Sequence, residues 1–340
     1  MFLKTHKTAS STILNILYRF SEKHNLTVAL PAGNVPHLGY PDPFHISYVE
    51  EFKTLGNKFN IMGNHLKFNW EQVRRIMPNN TFYFSILRHP ALLFESSYAY
   101  YKTFAPAFRK SKNLNEFLSS PWSYYNMSEK DNMYAKNNMW FDFGYNNNKE
   151  YDELYIQFVL HNIEEIFHLI LIADFFDESM ILLKDFLCWD LDDVIYFKMN
   201  ARSHHNIQTL NSDNKEKVKE WCALDWELYK HFNKSFWMKI QERMDLKTLY
   251  KEVDLLQKRQ KELMETCLLE ETAIEDYQIK DKSLRPHQAG NAHIMGYNLR
   301  QDLDNKTLNI CKKMIMPELQ YRAHLYNLQF PFKEKKKIVR

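Results

Sequence analysis

The sequence is poor in glycine, with 7 in 340 residues, and it contains no run of 18 apolar residues. No signal peptide or transmembrane segment can therefore be read from it. The first turn of the chain has no glycine at all, which excludes the G-x-x-x-x-G-K-[ST] loop of nucleotide kinases and NTPases. Charge is nearly balanced at +3, so bulk electrostatics do not indicate a nucleic-acid partner. Any anion site must be local and built from side chains and helix ends.

Cysteine is also sparse. The four cysteines have spacings that match no zinc-binding pattern, and they allow three disulfide pairings between which the sequence does not choose. They are Cys188, Cys222, Cys267 and Cys311. Asparagine, in contrast, is abundant and forms five N-glycosylation sequons, which are compatible with a protein of the secretory pathway. The acceptor residues would be Asn25, Asn79, Asn126, Asn233 and Asn305.

With 45% hydrophobic and 15% aromatic residues, the chain can bury one large core, so we predict a single domain over residues 1–330. Apolar, β-rich runs alternate with helical patterns, which indicates an α/β fold with a central, mainly parallel sheet flanked by helices. The predicted strands are 26–30, 59–62, 81–87, 167–172 and 194–199. Residues 102–150 are predicted to be an insertion, residues 213–330 a mostly helical C-terminal part with helices at 214–232 and 245–268, and residues 331–340 a basic tail.

The first dozen residues form the most informative segment. A short apolar lead is followed by a turn rich in lysine and hydroxyl groups, and then by an amphipathic helix from Ile13 onward. The first N–H groups of a helix have no internal partner and attract anions. Capping of the helix by Ser10, Ser11 or Thr12 would be the simpler explanation. It does not account for four hydroxyls together with two lysines and a histidine, so we predict a site for a phosphate or sulfonate group.

A second polar motif follows the predicted strand 81–87. Arg88 ends this strand, and Ser96 lies two turns into the next helix. Ligands of parallel sheets bind beyond the carboxyl ends of the strands. At this edge we expect to find residues 4–12, His65, residues 88–97 and residues 200–202.

The loop at residues 4–12 resembles the 5′-phosphosulfate loop of carbohydrate sulfotransferases. Its sequence is similar to that of the galactose 3-O-sulfotransferase family, and most of all to that of the members that act on galactosylceramide. The resemblance extends to about residue 325 and includes residues 141–145, 296–299 and 316–321. It implies a P-loop-like sulfotransferase fold and 3′-phosphoadenosine-5′-phosphosulfate as the sulfonate donor.

The resemblance also assigns roles to the nucleotide-binding residues. The 5′-phosphate would be bound by the loop, that is by Lys7, Thr8, Ala9, Ser10, Ser11 and Thr12. The 3′-phosphate would be held by Arg88 and Ser96, because a guanidinium forks onto two phosphate oxygens and a hydroxyl takes a third. Arg202 would close over the nucleotide, although a solvated arginine is an equal alternative. His89 departs from the acidic residue that many members of the family have, which leaves the local partner of Arg88 open.

Sulfonate transfer needs a base for the acceptor hydroxyl and positive charge at the leaving phosphate. His6 is our first candidate for the base and His65 the second, and the two could act together with His65 binding the sugar. Lys7 would stabilise the leaving group with help from Lys4, so no metal is expected. Tyr100 and Tyr125 are candidates for stacking on the sugar, although packing in the core is the default for aromatic residues.

From the resemblance we expect transfer to the 3-hydroxyl of a terminal β-galactose, most readily that of galactosylceramide, with glycoprotein glycans as the alternative. We also expect a Golgi membrane protein with a lumenal catalytic domain and an N-terminal anchor that precedes this chain. A homodimer is compatible with the sequence. Two rival functions are a nucleotide kinase, for which Asp174 is a poor magnesium ligand, and a non-catalytic glycan-binding protein with the same fold.

Overall fold

The computed structural model describes residues 1–51 and 58–332, so most of the predicted basic tail lies outside the described residues. Three strands form one parallel sheet in the order β1-β2-β3. They are β1 (Phe2–Leu3), β2 (Phe84–Leu87) and β3 (Leu169–Ile172). All their residues are buried, as expected for strands covered on both faces. The α/β prediction is confirmed, with a smaller sheet than expected.

Fourteen α-helices surround this sheet within the described residues. In chain order they are α1 (Ser10–Lys23), α2 (Trp70–Ile76), α3 (Pro90–Tyr101), α4 (Pro106–Lys110), α5 (Leu114–Ser119), α6 (Asn138–Asp142), α7 (Glu153–Ile166), α8 (Phe176–Leu187), α9 (Leu191–Val194), α10 (Ser212–Trp221), α11 (Ala223–Arg243), α12 (Leu246–Cys267), α13 (Asn305–Ile315) and α14 (Glu318–Gln329). The predicted helix 214–232 is therefore two helices, α10 and α11, which meet at Cys222.

Register in the sheet places Phe2 opposite Phe84, and Phe84 opposite Leu169. The rings of Phe2 and Phe84 stack with their centroids 4.9 Å apart. Beyond β1, the predicted strands 26–30 and 59–62 are reduced to a single parallel bridge between Val28 and Ile61. The neighbouring Met62 carbonyl accepts from Phe2 N at 2.8 Å, so this segment extends the sheet without forming a ladder.

The predicted strand 194–199 is wrong. Its first residue ends α9, and the backbone that follows is bonded by side chains of α1. Arg19 donates to the Ile195 carbonyl, and Met199 N donates to Thr12 Oγ1 at 3.1 Å. Since these backbone groups are already satisfied, the segment lies against α1 and adds no strand to the sheet.

Residues 102–150 pack with α3 and α10 around a second hydrophobic cluster. Its members include Tyr98, Phe108, Phe117, Tyr134 and Trp221. The cluster brings α6 and Tyr134 close to the carboxyl end of β1. The domain boundaries predicted from the sequence remain predictions.

One disulfide joins Cys267, the last residue of α12, to Cys311 in α13. Cys188 and Cys222 are free. Throughout residues 1–51 and 58–332, every helix is too short or too polar to cross a membrane.

Candidate active site

The loop between β1 and α1 is fixed to the end of β2. Thr5 Oγ1 donates to the Ile86 carbonyl at 2.5 Å, and Ser10 Oγ donates to the Thr5 carbonyl at 2.6 Å. Lys7 and Ala9 adopt left-handed backbone conformations, with φ of 60° and 61°. Such alternation turns successive N–H groups toward a common concavity, which favours an anion.

No side chain caps α1, because its N-cap is Ala9. The capping explanation for the hydroxyls of this segment is therefore wrong, and the first N–H groups of α1 are left for another acceptor. Thr8 Oγ1 lies 2.8 Å from Thr5 Oγ1, so the hydroxyls of the loop form a connected network.

Four cationic side chains influence one another at this loop. Burial, followed by the charges of Arg202, Arg88 and Lys4, lowers the pKa of Lys7 well below its usual value. Arg88 donates to the Lys7 carbonyl at 3.0 Å, and Lys7 Nζ lies 3.6 Å from the centre of the Tyr100 ring. Lys7 forms no ion pair with any described residue. A bound polyanion would raise the pKa of Lys7 again. A phosphosulfate donor carries negative charge of this kind.

Asp174 supplies the negative charge beside Arg88, in place of the acidic residue that many family members have at the position of His89. It accepts from His89 N at 2.8 Å. Burial lowers the pKa of Arg88, while the charge of Asp174 acts in the opposite direction. Asp174 therefore supports the guanidinium from the turn that follows β3.

Arg202 is less free than expected, because it forms a buried ion pair with Glu95. Its Nη1 also donates to the Asn206 carbonyl at 3.1 Å. Ser96 is buried and follows Glu95 directly on α3. The structure thus brings Arg202 to the predicted 3′-phosphate residues, in contact with an acidic partner on the same helix as Ser96.

His6 is held by a carboxylate that the sequence analysis missed. Asp142, the last residue of α6, is fully buried and accepts from His6 N at 2.8 Å. Its two oxygens each lie 3.0 Å from His6 Nδ1. Tyr40 also donates to Asp142, at 2.9 Å. This geometry places the proton on Nδ1 and leaves the lone pair on Nε2, which is buried and has no hydrogen-bond partner among the described residues.

His65 occupies a different role from His6, although the two rings stack 3.8 Å apart. Its Nδ1 lies 2.9 Å from the Lys4 carbonyl, and its Nε2 lies 2.7 Å from Lys4 Nζ. Burial, then the charges of His6 and Lys4, lowers the pKa of His65 well below its usual value. His65 is therefore neutral and orients Lys4, with both ring nitrogens engaged.

Glu318, the first residue of α14, is the second group that the sequence analysis missed. Its Oε2 accepts from Ser11 Oγ at 2.6 Å and lies 3.2 Å from Lys4 Nζ. Asn200 Nδ2 donates to the same Ser11 oxygen at 2.9 Å. Burial would raise the pKa of Glu318, but Lys4, the Ser11 hydroxyl and Arg322 together lower it.

Asp142 and Glu318 stand in segments that carried the resemblance, at residues 141–145 and 316–321. That resemblance was the only signal for them. Nothing else in the sequence indicates that these carboxylates contact a loop more than a hundred residues away.

The two predicted sugar-stacking tyrosines lie in different surroundings. Tyr100 contacts Lys7, at the loop. Tyr125 packs against Trp221 with ring centroids 5.3 Å apart and donates to Asn148 at 2.8 Å. Among the described residues, the tyrosine ring nearest to that of His6 is Tyr40, at 4.5 Å, with Tyr134 next at 5.3 Å.

Four of the five sequon asparagines are exposed. Asn233 is half-buried inside α11, and its side-chain oxygen is shielded from solvent. This position disfavours attachment of a glycan.

These observations describe a loop for a polyanion with a carboxylate-held imidazole beside it. Residues 1–329, which include all of them, match the family model described as Galactose-3-O-sulfotransferase. The chain belongs to the galactose-3-O-sulfotransferase family. It is therefore an enzyme, a galactose 3-O-sulfotransferase that depends on 3′-phosphoadenosine-5′-phosphosulfate.

Curated relatives within this family differ in their similarity to the chain. Galactose-3-O-sulfotransferase 2 of Mus musculus is 55% identical over 342 residues, which cover 99% of this chain and 87% of the relative. The protein of the same name from Homo sapiens is 52% identical, over 99% and 85% of the two chains. Galactosylceramide sulfotransferase of Homo sapiens is 39% identical, over 96% and 77%. The expected closeness to the galactosylceramide enzymes was therefore wrong within this family.

Proposed function

We propose that this galactose 3-O-sulfotransferase acts on terminal β-galactose of glycans that are not carried on ceramide, and that His6 is its general base. The observation that carries the assignment of the base is the buried, unpartnered Nε2 of His6, opposite an Nδ1 that Asp142 holds. The higher identity to relatives named galactose-3-O-sulfotransferase 2 than to galactosylceramide sulfotransferase supports the choice of acceptor.

His6 Nε2 would accept the proton of the galactose 3-hydroxyl as its oxygen attacks sulfur and the bond between sulfur and the phosphate oxygen breaks. The imidazolium that forms is stabilised by Asp142, which is fully buried and hydrogen-bonded to Nδ1. An imidazole whose Nδ1 is held by a carboxylate presents Nε2 as its basic nitrogen, which is the arrangement that a general base needs.

Lys7 and Lys4 are the cations for the charge that develops on the transferring group and the leaving phosphate. Lys7 is free of ion pairs among the described residues, while His65 holds Lys4 in place. The 5′-phosphate would accept from the N–H groups of residues 8–11 at the start of α1, because Thr12 N already donates to the Ala9 carbonyl. We predict that no step in this scheme requires a metal ion.

The other end of the nucleotide would lie against α3. Arg88 and Ser96 are the candidates for the 3′-phosphate, and Arg202 lies beside them through Glu95. The rings of Tyr40 and Tyr134 contact that of His6, whereas the ring of Tyr125 packs against Trp221. We therefore assign contact with the sugar to Tyr40, Tyr134 and Tyr100.

We further propose that the enzyme works in the Golgi lumen as a membrane-anchored protein. The disulfide between Cys267 and Cys311 and the four exposed sequons support a secretory compartment, since disulfides persist in oxidising environments.

The decisive experiment is transfer of labelled sulfonate to a galactose-ended N-glycan, with galactosylceramide in parallel, followed by identification of the sulfated hydroxyl. We expect transfer to the 3-hydroxyl of the glycan and little transfer to the lipid. Preferential transfer to galactosylceramide would overturn the proposed acceptor. The variant His6→Ala should lose about 10²–10⁴-fold in turnover while still binding the desulfated nucleotide. Unchanged turnover in this variant would overturn the assignment of the base.

A further inference from the structure

Glu318 is an unexpected group in a site for a polyanion. A carboxylate in such a position repels the ligand that the surrounding cations attract. Its partners are nevertheless two residues assigned to the donor, namely Ser11 at 2.6 Å and Lys4 at 3.2 Å. A phosphosulfate group that bonds to Ser11 and Lys4 must take them from Glu318.

The charges of the site explain why a resident carboxylate is tolerated. Arg202 is paired with Glu95, and Arg88 lies near Asp174. Without Glu318, the only direct partner of the buried Lys4 ammonium among the described residues would be the neutral His65, with the charge of Asp142 acting from farther away. A buried charge without an opposite charge is strongly destabilising, so Glu318 stabilises the site when no donor is bound.

Local geometry makes the carboxylate exchangeable. The Glu318 side chain retains 15% of its exposure, whereas that of Lys4 retains 3%. Glu318 borders a small cavity that is also lined by Ser11, Asn200 and Tyr297. Since Glu318 is the first residue of α14, its charge remains favourable next to the N–H groups of that helix if it turns away from Lys4.

We propose that Glu318 is an exchangeable counter-anion of the donor site. Its carboxylate neutralises Lys4 and accepts from Ser11 between turnovers, gives up both to the incoming donor, and takes them back as the desulfated nucleotide leaves. Glu318 thus weakens the hold on the product without touching the reacting atoms. This inference rests on the proposed donor site.

The test is binding of the desulfated nucleotide, adenosine 3′,5′-bisphosphate, to the whole chain without acceptor. Glu318→Gln keeps the shape and the acceptor oxygen for Ser11 but removes the charge. We expect its affinity for the nucleotide to rise about tenfold, mainly through slower dissociation. Glu164→Gln removes the same charge from a surface pair with His231 and should leave the affinity unchanged. Unchanged or weaker binding in Glu318→Gln would overturn the proposal.

If Glu318 had only a structural role, the melting temperatures with and without nucleotide would differ from those that exchange predicts. Exchange predicts that Glu318→Gln melts at a lower temperature than the parent when free. It should gain more from the same saturating concentration of nucleotide, because the stabilisation grows with the logarithm of the ligand concentration divided by Kd. A lower melting temperature with an equal or smaller gain from nucleotide would contradict exchange.

Glu318→Asp provides a second route if the glutamine variant does not fold. It keeps the charge but withdraws the carboxylate by one methylene, so the affinity for nucleotide should stay within about twofold of the parent. A rise of about tenfold in this variant would show that the charge of Glu318 is not the cause, and would overturn the proposal. Failure of the parent chain to bind the nucleotide at all would instead contradict the donor site itself, and the exchange with it.

Discussion

Asp142 holds His6 at two points, the backbone N–H at 2.8 Å and the ring Nδ1 at 3.0 Å, although 136 positions separate the two residues. One carboxylate thereby fixes both the path of the loop and the tautomer of the imidazole. The second contact leaves Nε2 as the only basic nitrogen of the ring.

We expect Asp142→Asn to lower kcat by about 10²–10⁴-fold, because an amide can stabilise the wrong tautomer and does not neutralise the imidazolium. Affinity for the desulfated nucleotide should change little. Steady-state kinetics with a galactose-ended glycan, together with nucleotide binding, would measure both. The matched control is Asp152→Asn at the exposed start of α7, where kcat should be unaffected. A kcat for Asp142→Asn close to that of this control would refute the role of Asp142.

Arg88→Lys should raise KM for the donor about tenfold, because an ammonium cannot reproduce the bidentate contact of a guanidinium with phosphate. Arg88 is assigned to the 3′-phosphate and not to the reacting groups in this scheme, so kcat should fall less than the affinity does. Arg74→Lys on the exposed face of α2 is the control, since Arg74 forms a surface ion pair with Glu71 and with no other residue that the structure describes. A loss confined to kcat, with KM for the donor unchanged, would argue against binding of the 3′-phosphate by Arg88.

The stability of the enzyme should depend on pH through His37. Burial and the charge of His6 lower the pKa of His37 to about 4. The unfolded chain then binds a proton below pH 6.5 that the folded chain binds only near pH 4, so the free energy of unfolding falls as pH drops through this window. The loss is at most about 3.5 kcal/mol, from about 1.4 kcal/mol per pKa unit.

Denaturant titrations of the parent and His37→Gln between pH 7 and 4 would measure this effect. The glutamine variant should lose less stability over the window, while His45→Gln, at an exposed histidine, should follow the parent. Parallel pH curves for the parent and His37→Gln would be inconsistent with a lowered pKa at His37.

Removal of the disulfide between α12 and α13 should destabilise the fold. Cys267→Ser is expected to cost about 2–4 kcal/mol, because the bond closes a loop between residues 44 positions apart. Thermal unfolding under non-reducing conditions would measure the loss. Cys188→Ser changes a free, exposed cysteine and should leave the melting temperature unchanged. Equal melting temperatures for Cys267→Ser and the parent would mean that the bond adds no stability.

Local patterns were sufficient to predict the parts of the site that lie close together in sequence. The loop before α1, the strand that ends at Arg88 and the helix that carries Ser96 are each coded by a short run of residues. The apolar runs at 81–87 and 167–172 also predicted β2 and β3, because a strand covered on both faces has a continuous apolar signal. In the structure each of these strands is limited to four buried residues.

The remainder depends on contacts between distant segments. The segment 194–199 has the composition of a strand, but its backbone bonds to Arg19 and Thr12 of α1. Asp142 and Glu318 have no local feature that distinguishes them from surface acids. Their function comes from burial beside His6 and Lys4, which only the folded chain creates.

The hydrogen bond between Ser11 and Glu318 spans 307 positions, which has a consequence for biosynthesis. The loop between β1 and α1 is synthesised among the first residues of this domain, and the carboxylate that pairs with its Lys4 is synthesised among the last. During translation Lys4 therefore lacks the carboxylate of Glu318 until α14 has been synthesised and packs against α1. Synthesis of the last helix, and not of the loop itself, therefore sets the moment at which a counter-anion becomes available to compete with the donor.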